Sequence, residues 1–310
     1  MGTPEFASGI LQEIINKFYD VACVVTVPDK PAGRGQKLKQ SAVKEVALLN
    51  NISILQPEKL RDNVFLEALS SYNADIFIVI AFRMLPKVVW SMPRKGTFNL
   101  HASLLPHYRG AAPINWAIIN GEKITGVTTF FINEKIDTGD IILAKQVSID
   151  EDDDAGSLHD KLMKAGKIAV IETLELIKKD SIVPIKQNIE FHNELKIAPK
   201  IFNNDCKIDF NNKCKSINLF IRGLSPYPAA YLSLSNNIDT IVMKVYKTSY
   251  IEDLESKKTG KIESDNKNYL KISCLNGWIL IEELQIMGKK KMKTIEFLRG
   301  FRNINNYYTL

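Results

Sequence analysis

Asn99 and His101 stand two apart in the run Asn99-Leu100-His101-Ala102-Ser103-Leu104-Leu105-Pro106, and Asp137 heads the turn Asp137-Thr138-Gly139-Asp140. The three supply an amide, an imidazole and a carboxylate where strands run into loops. If Thr97 to His101 is extended, Asn99 and His101 leave the same face of the strand. An amide N–H and an imidazole N–H aimed at one point hold a carbonyl oxygen while it turns into an oxyanion. Asp137 then orients the imidazole and takes up a proton through it or through a water. Such a trio suits transfer of an acyl group to an amine without a covalent intermediate, because that reaction needs only alignment, oxyanion stabilisation and proton removal. His107, His159 and His192 lack such neighbours and read as structural.

These groups must be held at strand ends, and the chain provides strands by alternation. Val21 to Val27 and Ala74 to Ala81 are apolar, rich in β-branched residues and bounded by turn residues, so they read as buried parallel strands. Ile52 to Leu55 and Thr97 to Leu100 are shorter candidates. Ser41 to Asn50 and Glu58 to Ser71 carry helical spacing between them. This alternation predicts an α/β, doubly wound, Rossmann-like sheet. Thr125 to Ile132 and Ile141 to Val147 read as a pair flanking the Asp137 loop. Asp150 to Asp154 precede an amphipathic helix from Ala155 to Lys178, where acidic residues suit the positive helix end rather than a metal. In a doubly wound sheet Gly2-Thr3-Pro4 belongs just after the first strand. The expectation is therefore that the first strand is missing, with the true start upstream and Met1 internal. Otherwise two neighbouring strands keep unpaired backbone groups.

Composition narrows the classes. At 310 residues, two domains are expected. No run reaches the length of a membrane span and the start has no charged-then-apolar signal pattern, so a cytoplasmic protein without a membrane partner is expected. Cys23, Cys206, Cys214 and Cys274 have no Cys-x-x-Cys spacing and read as reduced thiols, and nothing calls for a metal. Residues 196–310 hold 19 Lys and Arg against 11 Asp and Glu, whereas residues 1–195 hold 22 against 24. A basic C-terminal part beside a near-neutral N-terminal part predicts a polyanionic partner. Residues 183–203 lack periodicity and contain Pro184 and Pro199, so a linker is expected there, between domains at 1–182 and 204–310. Beyond it, Ile217 to Ile221 suggests a helix. Short alternating runs at Tyr231 to Leu234, Thr240 to Lys247, Gly260 to Ile262, Tyr269 to Cys274 and Gly277 to Leu284 suggest a small β-barrel or sandwich.

The run Gly96 to Pro106, with Tyr108-Arg109-Gly110-Ala111-Ala112-Pro113-Ile114-Asn115-Trp116, resembles the formyltransferases that use 10-formyltetrahydrofolate. Three further segments resemble the branch that acts on methionyl initiator tRNA: Met1-Gly2-Thr3-Pro4-Glu5-Phe6-Ala7, Pro28-Asp29-Lys30-Pro31-Ala32-Gly33-Arg34-Gly35, and Arg222-Gly223-Leu224-Ser225-Pro226-Tyr227-Pro228 in the basic C-terminal region. The resemblance runs from the first residue to about Arg302. It implies a Rossmann-like catalytic domain, preceded in the family by an apolar strand, and an OB-like barrel that binds tRNA. It implies 10-formyltetrahydrofolate as co-substrate, tetrahydrofolate as product and methionyl initiator tRNA as acceptor for translation initiation; a monomer is expected.

On this resemblance Asn99 would be the oxyanion donor, His101 the polarising and proton-handling group, and Asp137 its orienting partner and proton acceptor. Phe82, Arg83, Met84 and Leu85, where many relatives carry Tyr-Gly in place of Phe82-Arg83, would hold the folate largely through backbone groups. Ser103, Leu104, Leu105, Pro106 and Asp140 would complete that wall. Lys30, Arg34, Lys37 and Lys39 would enter the acceptor stem of tRNA from a basic loop, with Arg34 foremost, and Lys200 would add a backbone contact. One alternative acceptor is a small-molecule amine, a glycinamide ribonucleotide or an amino sugar, which needs neither the Arg34 loop nor a basic second domain. A formyl-folate hydrolase is a further reading; a dehydrogenase would require an extra domain with a reactive Cys. A non-catalytic RNA-binding protein would have no use for the trio.

Overall fold

In a computed structural model of the chain, which describes residues 1–32, 37–187, 195–253 and 258–310, apolar runs become strands where a neighbour is there to pair with them. Val24–Val25 pairs in parallel with Ile54–Leu55, and Phe77–Ile80 in parallel with Thr97–His101. Ile124–Phe131 then runs antiparallel to Thr97–His101, and Ile141–Ser148 antiparallel to Ile124–Phe131. Helices Glu5–Asn16, Ala42–Leu49, Asn63–Ser71 and Lys87–Trp90 make the crossovers between the parallel strands. Ser41 and Asp62 start two of them by accepting the backbone N–H of Lys44 and Phe65, the N-cap arrangement that satisfies otherwise orphaned donors. Asp154 and Ser157 cap the start of helix Ala155–Lys178 reciprocally, each side chain accepting the other's backbone N–H at 2.9 and 3.1 Å.

Met1 and Gly2 lie between the two groups of strands. The Gly2 N–H donates to Val25 O at 3.1 Å, and the Ile80 N–H donates to Met1 O at 2.9 Å. The Met1 amine donates to Ile78 O at 2.7 Å. Counting Met1 and Gly2 as the end of the first strand, the parallel order is 3-2-1-4-5, that of a doubly wound sheet. A cavity of about 660 Å³ lies beside Met1, lined by Val21, Cys23, Leu69, Ile76 and Ile78 among others. Within the run Val21 to Val27 the strand covers Val24–Val25, paired with Ile54–Leu55 on one side and bonded to Gly2 through the Val25 oxygen on the other. Met1 is half-buried, with its amine turned inward, and this desolvation pushes the amine from 8.0 down to about 6.

The described residues form two compact units, one of 1–110, 124–148 and 159–197, the other of 111–123, 149–158 and 198–310. The second carries an antiparallel sheet in the spatial order Ile262–Ser264, Leu270–Cys274, Gly277–Ile286, Thr240–Glu252, Ala230–Ser235, Tyr308–Thr309, with Met292–Lys293 also on Gly277–Ile286. Its two edges approach each other. The Thr309 hydroxyl donates to Gly260 O at 3.2 Å and the Asn305 amide to Ser264 O at 2.9 Å. A nearly closed barrel therefore replaces the barrel-or-sandwich choice that periodicity leaves open. Helix Cys214–Leu224 fills it, burying Ile217, Ile221 and Leu224 against Leu232, Met243, Val245 and Ile279. Among the described residues no helix is long and apolar enough to cross a membrane.

Candidate active site

Strand Thr97–His101 divides its side chains by parity. Phe98 and Leu100 are buried, and Leu100 meets helix Ala155–Lys178 at Gly166. Asn99 and His101 share the other face, which carries the strand's chemistry into the loops at 108–110 and 137–140. The Asn99 side-chain amide makes no hydrogen bond among the described residues, so its donors are open to a ligand.

The buried His101 ring is held by a partner that spacing does not reveal. Its Nε2 lies 2.8 Å from the backbone oxygen of Tyr108. A carbonyl only accepts, so Nε2 carries a hydrogen and donates it, which leaves Nδ1 as the ring nitrogen on the side of Asp137. Nδ1 faces Asp137 Oδ2 at 3.9 Å, beyond a direct hydrogen bond. A nitrogen or oxygen set beside the pair can bond both. The resting imidazole N–H is therefore directed at the Tyr108 oxygen and not to the point that the Asn99 amide faces.

Asp137 is fixed from both ends. Its Oδ2 accepts the Gly110 N–H at 3.0 Å, while Gln187 donates to its backbone oxygen at 3.0 Å and to Gly139 O at 2.7 Å. Asp137, Tyr108 and Ala81 all adopt left-handed backbone, with φ of 53°, 59° and 45°. Such conformations cost about 1–3 kcal/mol each and gather where loops must aim groups. Gly139 is required by proximity: a Cβ there would stand 1.6 Å from Phe131 O. Burial pulls the Arg109 guanidinium down from its ordinary value, and the Asp137 charge opposes this.

The residues expected at the folate wall divide into scaffold and surface. The Ser103 hydroxyl donates to His107 O at 2.7 Å, and the Thr128 hydroxyl donates to Ser103 O at 2.7 Å, so Ser103 shapes the loop from within. Leu85 is buried beside Val79 and Val89, and Leu105 is buried as well. Leu104 packs against Gly126, and Pro106, Phe82 and Asp140 are half-buried. Met84 is exposed. Arg83 turns to the carbonyls of Pro57 and Glu58, with the second at 2.8 Å, and its guanidinium carbon lies 5.5 Å from the Phe82 ring centre. Its charge therefore ties the 82–85 loop to the 57–58 segment.

Lys30–Ala32 and Lys37–Lys39 pair as an antiparallel ribbon, with Lys30 opposite Lys39 and both side chains exposed. Arg34 and His192 lie outside the described residues. Exposed Lys200 has its Nζ 5.1 Å from the Phe202 ring centre. His159 sits against Asp160 and the Phe6 ring, and His107 accepts the Lys196 N–H at 3.5 Å. Tyr108 and Gln187 were not legible as site residues. The first acts through a backbone carbonyl, and the second sits in the stretch without periodicity.

The family model described as formyl transferase matches residues 1–174, and that of the formyl transferase C-terminal domain matches residues 200–302. The methionyl-tRNA formyltransferase of Flavobacterium johnsoniae is 53% identical over 300 residues, covering 97% of this chain and 94% of that protein. The one from Bacteroides thetaiotaomicron is 50% identical over 309 residues, covering 99% and 96%. A sugar 3N-formyl transferase solved in the presence of dTDP and 5-N-formyl-THF shares the fold, with a TM-score of 0.63 at 24% identity, covering 93% of this chain and 97% of that one. The chain belongs to the formyl transferase family.

Proposed function

We propose that this member of the family transfers the formyl group of 10-formyltetrahydrofolate to the α-amine of methionyl initiator tRNA, for translation initiation in the cytoplasm. One observation carries the choice of acceptor: identity near 50% along almost the whole chain to proteins named for that reaction. The catalytic part is assigned to 1–182, the linker to 183–203 and tRNA binding to 204–310, in a monomer.

The amine nitrogen attacks the formyl carbon, and the carbonyl oxygen becomes an oxyanion that accepts from the Asn99 amide. His101 Nδ1 takes the proton the amine must lose, and the Asp137 carboxylate stabilises the imidazolium so formed. Collapse breaks the bond from carbon to N10 of the folate. The proton passes to that nitrogen, leaving tetrahydrofolate and an N-formylated amine. The loops at 82–85, 103–106 and Asp140 hold the folate, mainly by backbone groups, since Leu85, Leu105 and Ser103 are committed to the scaffold. Lys30, Arg34, Lys37, Lys39 and Lys200 contact the tRNA.

The test is acceptor preference. With 10-formyltetrahydrofolate fixed, kcat/KM is measured for methionyl initiator tRNA, a glycinamide ribonucleotide and a nucleotide-linked amino sugar. A preference for the tRNA of at least about a thousandfold is expected, since a site built for one acceptor's polar groups rejects others steeply. Preference for either small amine would overturn the reading.

A further inference from the structure

We infer that Gln187 is a positioning residue for Asp137: its carboxamide locks the Asp137–Gly139 turn onto Arg109 and so aims the carboxylate at His101. The inference rests on the assignment of Asp137 to the proton-handling pair of formyl transfer.

The amide group of Gln187 is used at both ends. Its nitrogen donates to Asp137 O at 3.0 Å and to Gly139 O at 2.7 Å. Its oxygen accepts from Arg109 Nε at 3.1 Å and also from Arg109 Nη2. Arg109 precedes Gly110, whose N–H holds Asp137 Oδ2 at 3.0 Å. The contacts close a ring, from Gln187 to the Asp137 backbone, through the Asp137 carboxylate to Gly110, and back along the chain to Arg109. Gln187 itself is anchored two residues earlier, where Ile185 and Ile141 exchange N–H···O bonds of 2.8 Å in both directions.

The turn needs this support. Asp137 has left-handed backbone, and Gly139 presses on the Phe131 carbonyl, so the local chain has no slack of its own with which to hold the carboxylate. Two carbonyls pointing one way need a donor with two hydrogens, while a half-buried guanidinium beside them needs an acceptor. Among side chains an amide supplies both at once. A carboxylate at this position would satisfy Arg109 but turn an oxygen toward two carbonyls and add a negative charge near Asp137.

Gln187→Ala and Gln187→Glu test this in the full chain. Both are expected to lower kcat for formyl transfer by about 10- to 100-fold, with KM for tRNA and formyl-folate held within about threefold, because misplacement of a reacting group by about 1 Å carries a penalty of that size. Added to Asp137→Asn, Gln187→Ala should change kcat by less than about threefold, since residues acting through one another are not additive. Hydrogen exchange should quicken over 136–141 in Gln187→Ala. A wild-type rate in either variant, an undiminished loss in the Asp137→Asn background, or unchanged exchange over 136–141 would overturn the inference. Should the wild-type chain formylate no acceptor, the functional reading fails separately, and the exchange measurement still decides the role of Gln187.

Discussion

Asp137→Asn isolates charge from shape. The substituted side chain keeps an oxygen for the Gly110 N–H, now received at 3.0 Å, and changes volume little. What it removes is a negative charge 3.9 Å from His101 Nδ1, the atom proposed above to take the amine's proton. Two unit charges at that separation attract by roughly 4 kcal/mol at an effective dielectric constant of about 20. Water access and the loop's own dipoles reduce this, and half of it is a reasonable lower bound. At about 1.4 kcal/mol per tenfold, the expected fall in kcat is about 30- to 1000-fold. Rapid-quench transfer at saturating tRNA and formyl-folate reads it directly, with thermal unfolding as the control for fold. A kcat within about threefold of wild type, at an unchanged melting temperature, would refute electrostatic support of His101 by Asp137.

Gly139→Ala places a methyl 1.6 Å from a backbone oxygen that cannot retreat without breaking the Phe131–Asp140 contact. A loss of about 1–3 kcal/mol or more in stability, with at least a hundredfold drop in transfer, is expected from denaturant unfolding and turnover. The Met1 amine binds more protons unfolded, at 8.0, than folded, at about 6, so stability should rise with pH through that window. The rise should be on the order of 2–3 kcal/mol and should disappear when apolar residues precede Met1; a flat pH–stability curve between 6 and 8 would rule it out. Arg34→Ala should raise KM for tRNA by a factor that shrinks as salt rises, because the variant releases fewer counterions, while leaving folate binding unchanged; a salt-independent effect would exclude a phosphate contact.

The long amphipathic helix was legible as Ala155–Lys178 from its apolar spacing and the acidic run before it, and the Asp154–Ser157 cap starts it there. The parallel strands were legible in place but not in length. Strand bounds depend on a neighbour's backbone, and Val21 to Cys23 face a cavity beyond Gly2. Within the site, Asn99 and His101 could be put on one face from their spacing alone. Their partners could not. Tyr108 contributes a carbonyl that any residue would carry, and Gln187 reaches Asp137 from 50 positions away in the chain. That the His101 N–H is occupied follows only from that carbonyl.

Labelled formyl carbon followed from 10-formyltetrahydrofolate into methionyl initiator tRNA, with the aminoacyl group released by mild base and identified, decides whether this chain formylates that acceptor. N-formylmethionine is expected from the wild-type chain and at least a hundredfold less from His101→Ala, with tRNA affinity retained. Unformylated methionine from the wild-type chain, or near-normal formylation by His101→Ala, would contradict this expectation.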